Sequence, residues 1–193
     1  MLKNLAEEVS LCLVTNKIIT NDKRKYYTYG FELILSDIFI FLILAAVAIL
    51  TNTVLMSAVF ACTFCILRSY SGGYHSNTYA GCFMITISIY SLLLIFNTVL
   101  NELRAAVGIA MLVVSLPIIL KLSPVENINH PIMWRDNKKF KKISTTLAIV
   151  FVLIFMTSLI YISEEIAFSI AWSLFATAFL MLLSLFFNKK EEE

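Results

Sequence analysis

The chain has 193 residues, of which 60% are hydrophobic and 15% charged, with a formal net charge of +2. Soluble domains hold about 45–50% apolar residues, so this composition, with a mean hydropathy of +0.85, excludes an ordinary soluble domain. The apolar residues gather into runs such as 33–50 and 143–162, close to the roughly 20 residues that carry a helix across hydrocarbon. The expectation is an all-α, polytopic membrane protein with one compact domain.

Along the chain, residues 1–30 read as a separate segment. Leu2, Leu5, Val9, Cys12 and Leu13 recur at helical spacing, with Lys3, Glu7 and Glu8 on other faces. Two placements suit such an amphipathic helix: lying in the membrane interface, or packed from the cytoplasm on the loops. These residues are charged and lack a continuous apolar core, so no cleavable secretory signal is expected. Lys23-Arg24-Lys25 followed by Tyr26, Tyr27 and Tyr29 reads as an interfacial anchor. It is a topological signal rather than a nucleic-acid site.

Six apolar segments follow, near 33–50, 54–67, 79–100, 105–122, 143–162 and 166–187, inside a transmembrane domain of 31–188; a short charged tail, 189–193, closes the chain. The second segment is short, reaching about 21 Å against about 30 Å of hydrocarbon. It tilts little in a thinned bilayer, or the polar loop after it sits below the headgroups; one or two re-entrant segments also fit. Every basic residue except Arg104 falls on one side of this six-span arrangement. The positive-inside rule then puts both termini in the cytoplasm, as expected of a bacterial plasma-membrane protein.

Chemistry concentrates where the apolar pattern breaks. The run Arg68-Ser-Tyr-Ser-Gly-Gly-Tyr-His-Ser-Asn-Thr-Tyr-Ala-Gly-Cys82 brings an imidazole, His75, and a thiol, Cys82, to the gap between the second and third spans. A thiol and a base are the minimum set for nucleophilic attack on a carbonyl. On one continuous helix the two would stand about 10.5 Å apart along the axis, so the pairing requires a break. Gly72 and Gly73 permit one. Ser76 or Asn77 can cap a following helix, which would put Cys82 about one turn inside it, near a positive helix end. Backbone N–H groups near Gly72, Gly73 or Cys82 are candidate oxyanion donors. The competing reading makes Cys82 a packing residue and His75 a surface or capping residue.

The remaining candidates are weaker. Cys62 and Cys65 sit in an apolar run and read as packing thiols; the four cysteines do not form a disulfide framework. His75, His130 and Cys82 lack paired zinc-ligand spacing, so no metal and no cofactor are expected. Asp37 lies inside the first span, where an acid is rare; an interfacial position and a pairing with Arg68 suit it equally. The 123–142 loop carries Glu126, Asn127 and Asn129 between Pro124 and Pro131, then the basic cluster Lys138, Lys139, Lys141 and Lys142. That cluster fixes topology, and it also suits an acidic peptide tail.

Arg68-Ser-Tyr-Ser-Gly-Gly-Tyr-His75 with Cys82 seven residues on resembles the accessory gene regulator B (AgrB) peptidases. Ser123-Pro-Val-Glu-Asn-Ile-Asn-His-Pro131 is similar to that family's later loop, and the resemblance spans essentially the whole chain. It implies a quorum-sensing cysteine endopeptidase that removes the C-terminal tail of an AgrD-like precursor peptide. The upstream part is held as an acyl-enzyme thioester and cyclised to a thiolactone or lactone. Cys82 would be the nucleophile and His75 its base, with Arg68, Gly72 and Gly73 shaping the site. Asn77, Glu126 and Asn127 are candidates to orient His75 or touch substrate. Expected partners are the precursor and membrane lipids; a homodimer is compatible with the apolar faces. A peptide exporter without proteolytic activity is the alternative, and a non-catalytic scaffold is a third reading.

Overall fold

A computed structural model describes residues 2–74, 79–125 and 137–191. Among these, seven α-helices form: α1 (Leu2–Thr15), α2 (Arg24–Leu50), α3 (Val54–Ser71), α4 (Tyr79–Val99), α5 (Arg104–Leu122), α6 (Asn137–Tyr161) and α7 (Glu164–Glu191). The last six are each long and apolar enough to cross a membrane. The protein is an all-α polytopic membrane protein, as its composition requires.

α7 is the hub. In its apolar span 61% of the residues are buried, against 17% to 39% in the other five. Small residues explain why. Ala167, Ser169, Ala171, Ser173, Ala176, Thr177, Ala178 and Ser184 are all buried on α7, and small side chains let neighbouring helices approach closely in lipid. Their hydroxyls stay satisfied: Ser173 donates to Ser169 O and Thr177 to Ser173 O, both at 2.8 Å. One core cluster lies between α7 and the faces of α3, α5 and α6, around Leu67, Leu112, Ile119, Phe151, Phe155 and Leu174. A second joins α7 to α2, α3 and α4 through Ile40, Phe60, Phe64, Tyr90 and Trp172. Two hydrogen bonds between helices add direction, Thr63 Oγ1 to Ser173 Oγ at 2.8 Å and Trp172 Nε1 to Ile89 O at 3.1 Å.

Several boundaries differ from the sequence reading. α2 starts ahead of residue 33, so the Lys23–Tyr29 stretch largely belongs to a helix about 40 Å long. That exceeds the hydrocarbon thickness and leaves the basic and tyrosine residues an interfacial first turn or two. α3 does not stop at residue 67. It continues through Arg68, Ser69, Tyr70 and Ser71 to 18 residues, about 27 Å. The second span is therefore a nearly full-length helix and needs no thinned bilayer. α1 packs on α2 by burying Ala6 and Ser10, while Leu5, Val9 and Leu11 stay exposed. Close approach selects the small face, and Thr28 Oγ1 donates to Ser10 Oγ at 2.8 Å.

After α3 the chain becomes extended and meets the chain after α5. Gly72 pairs with Val125 as an isolated parallel bridge. Val125 N donates to Ser71 O at 2.9 Å and Gly73 N to Val125 O at 3.3 Å; Tyr74 N donates to Leu180 O of α7 at 2.9 Å. Both glycines hold positive φ, +71° and +125°. A Cβ on Gly72 would stand 2.1 Å from Val125 O, and one on Gly73 would stand 3.4 Å from the α7 backbone at Leu180 and Met181. At Gly72 only glycine allows both the conformation and the approach, whereas at Gly73 the space is ordinary and the positive φ alone favours glycine. The Ser123–Pro124 peptide bond is cis, and the Ser123 hydroxyl bonds that of Ser144 on α6.

This arrangement makes two glycines behave oppositely. Gly72→Ala is expected to destabilise the protein by about 2 kcal/mol or more. Gly30→Ala on α2, where nothing lies within 4 Å of the added Cβ, is expected to be neutral or to stabilise by up to about 1 kcal/mol. Thermal unfolding in detergent checks the pair; equal midpoints would contradict the close approach at Gly72.

Candidate active site

The site is built where α3 ends and α4 begins. The chain breaks between these helices, at Gly72, as an approach of His75 to Cys82 requires. Cys82 is the fourth residue of α4 and is half-buried. It occupies the first turn, where a helix presents its positive end. Its carbonyl accepts the Thr86 hydroxyl at 3.0 Å, an ordinary bond that leaves the sulfur uncommitted to the helix.

Arg68 sits one turn before the break. Its Nη2 donates to Tyr74 O at 2.7 Å, and its Cζ stands 5.5 Å from the centroid of the Phe64 ring. These two contacts fold the guanidinium back against the protein, which is how a cation is accommodated at the end of a membrane helix. Its Nη1 is buried and has no hydrogen-bond partner among the described residues. The Cys82 and Cys65 thiols and the Asp37 carboxylate lie within electrostatic range of this guanidinium. Among the described residues Asp37 makes no direct ion pair with it; the one ion pair there joins Arg104 and Glu165 at 3.3 Å, at the other end of the bundle.

The two glycines serve the site through the backbone. Bridge formation at Gly72–Val125 brings the chain entering His75 beside the chain entering Glu126. The amides of Gly72, Gly73 and Tyr74 are all occupied, by Arg68 O, Val125 O and Leu180 O. The glycine pair therefore offers no free N–H for an oxyanion, and that part of the sequence expectation is corrected. His75, Asn77, Glu126, Asn127 and His130 lie outside the described residues. Tyr74, whose ring packs 5.2 Å from that of Phe187, carries no sequence signal for its role as the anchor of Arg68. Val125 could be found only as part of the proline loop.

Lys138, Lys139, Lys141 and Lys142 stand exposed on the first turns of α6. Cations at a helix N-terminus oppose the helix dipole, so their position is not explained by helix stability. The same turns are tied to the site end of the bundle. Phe140 packs 5.9 Å from the ring of Tyr70 on α3, and Ser144 bonds Ser123. Cys62 and Cys65 are exposed on α3, off the buried stripe of Met56, Phe60, Thr63, Phe64, Leu67 and Ser71. They point away from the bundle instead of packing within it. Among the described residues no group of His, Cys, Asp and Glu is arranged to hold a metal.

The chain is similar to several known proteins. An AgrB-like protein of Clostridium perfringens strain SM101 is 28% identical over 190 residues, covering 95% of this chain and 86% of its own. A second from C. perfringens strain 13 is 28% identical over 167 residues, covering 83% and 78%. One from Clostridium beijerinckii is 27% identical over 198 residues, covering 100% and 96%. No solved structure matches the chain. The profile of the family described as Accessory gene regulator B matches residues 6–185, and the chain belongs to that family.

Proposed function

We propose that the protein is a membrane-embedded cysteine endopeptidase and cyclase acting on an AgrD-type precursor peptide, with Cys82 as nucleophile and His75 as general base. Family membership relates the chain in general to autoinducer-peptide processing. The observation that carries the finer reading is a half-buried thiol in the first turn of α4, just beyond the break at Gly72–Gly73, with Arg68 in the last turn of α3 on its other side.

In this reading the Cys82 thiolate adds to the scissile carbonyl, and His75 protonates the departing amine of the precursor's tail. The upstream part stays on Cys82 as a thioester. A Cys or Ser of the precursor then attacks that thioester and closes the ring, releasing Cys82. Ring closure must outrun water. A site between the end of α3 and the start of α4 would hold the attacking side chain close and raise its effective concentration. The basic side of the membrane, with both termini, is the cytoplasmic one, so the precursor would approach along the inner leaflet. The buried hydroxyls of α3 and α7 bond to helix carbonyls and to each other; they favour packing over the polar pathway an exporter needs.

Reconstitution in vesicles with a precursor peptide, followed by mass spectrometry, tests the reading. The wild-type chain is expected to release the tail and yield a cyclic product. Cys82→Ala and His75→Ala should each lose more than about 10³-fold in cleavage at unchanged abundance. Cleavage by Cys82→Ala removes the assignment, and peptide efflux without cleavage supports the exporter instead. Reversing the charges of Lys138, Lys139, Lys141 and Lys142 to Glu is expected to raise KM more than it lowers kcat; unchanged kinetics would remove these lysines from substrate binding.

A further inference from the structure

Arg68 has a divided guanidinium. One arm is spent: Nη2 holds Tyr74 O at 2.7 Å, and the plane is braced by the Phe64 ring. The other arm, Nη1, is buried with no acceptor among the described residues. A buried donor left unpaired costs about 1–3 kcal/mol, more when charged, so this arm is held ready for an acceptor that the described residues do not supply. Arg68 lies in the last turn of α3 and Cys82 in the first turn of α4, on the two sides of the break. Of the donors expected to serve there, those of the glycine pair are consumed: the amides of Gly72, Gly73 and Tyr74 bind Arg68 O, Val125 O and Leu180 O, which leaves the Cys82 amide in the first turn of α4 as a second donor beside Arg68.

Resting on the endopeptidase reading above, we infer that Arg68 Nη1 is the oxyanion donor of this site, and so a catalytic residue rather than a shaping one. When the Cys82 sulfur bonds to the scissile carbonyl carbon, the C=O π pair moves onto oxygen and the oxyanion accepts from Nη1. Collapse re-forms the carbonyl and breaks the C–N bond, and the amine leaves with a proton from His75. The same donor serves the second half. The precursor's thiol or hydroxyl adds to the thioester carbonyl and gives its proton to His75. The oxyanion returns to Nη1, and collapse expels the Cys82 thiolate as the ring closes. A charged, fixed donor needs no reorganisation when charge develops, which is the property that makes such groups effective. Tyr74 O is then the positioning group, since it fixes which arm stays free.

A peptide aldehyde carrying the precursor residues upstream of the scissile bond tests this. Its hemithioacetal places an oxygen where the oxyanion forms, whereas alkylation by iodoacetamide makes no oxyanion. Protection of Cys82 by the aldehyde and the Cys82 alkylation rate are both read by mass spectrometry of the Cys82 peptide, on full-length wild-type, Arg68→Lys and Arg68→Gln chains in detergent. The expected result is a rise of about 10²-fold or more in the aldehyde concentration for half-protection, with alkylation rates within about 3-fold of wild type. Equal protection in the variants overturns the inference. So does an alkylation rate that falls in step with protection, which would put Arg68 on the thiol rather than the oxyanion. Thermal unfolding confirms each variant is folded, and if the Lys variant is lost the Gln variant carries the same comparison. Absence of aldehyde protection in the wild type, with cleavage persisting in Cys82→Ala, would instead overturn the endopeptidase reading and this inference with it.

Discussion

The parallel contact between Gly72 and Val125 is the constraint on which the functional end of this molecule depends. It joins two chain segments far apart in sequence, one leaving α3 and one leaving α5, and it is seated on α7 by the bond from Tyr74 N to Leu180 O. Extended backbone at membrane depth is tolerated only where its polar groups are satisfied by protein. Here each amide from Gly72 to Tyr74 has a carbonyl to bind. Gly72 is needed because no side chain fits between the paired backbones, and both glycines hold φ values where other residues are strained.

Everything at the site follows from that contact. The extended segment turns Tyr74 so that its carbonyl reaches back one helical turn to Arg68. That bond keeps a cation folded against the bundle and not reaching for water. With Arg68 fixed and α4 starting at Tyr79, the half-buried Cys82 comes into range of a positive group and a helix end together. α7 supplies the rigid backing, since its small residues let α3, α5 and α6 pack closely on it. A rigid frame around mobile chemistry is what a site must have if an acyl intermediate is to be attacked by its own chain before water arrives.

Much of this was legible in the residues, and the misses have physical causes. The apolar runs gave six spans because hydrocarbon length dictates them. The glycine pair marked the break, since little else explains Gly-Gly between two such runs. The end of α3 was placed too early because Arg68, Ser69 and Tyr70 lower the hydropathy, while the helix continues on the strength of its backbone bonds and the tucked guanidinium. The face by which α1 meets α2 had no signal in the apolar pattern. Hydropathy points to leucines, but close helix contact in this setting rewards Ala6 and Ser10. Cys62 and Cys65 looked like core thiols because an apolar run does not reveal which side faces lipid. The partner of Gly72 and the anchor of Arg68 had no local signature, as both are contacts between segments that only the folded chain brings together.

The central claim is that the Cys82 sulfur itself takes the precursor. Rapid acid quench of the reconstituted chain with a precursor whose ring-closing Cys or Ser is replaced by Ala tests it most directly, by intact and peptide mass. The account predicts an adduct equal to the precursor without its tail, located on Cys82 and released by neutral hydroxylamine. Tail release with no such adduct, or an adduct on Cys62 or Cys65 alone, would contradict it.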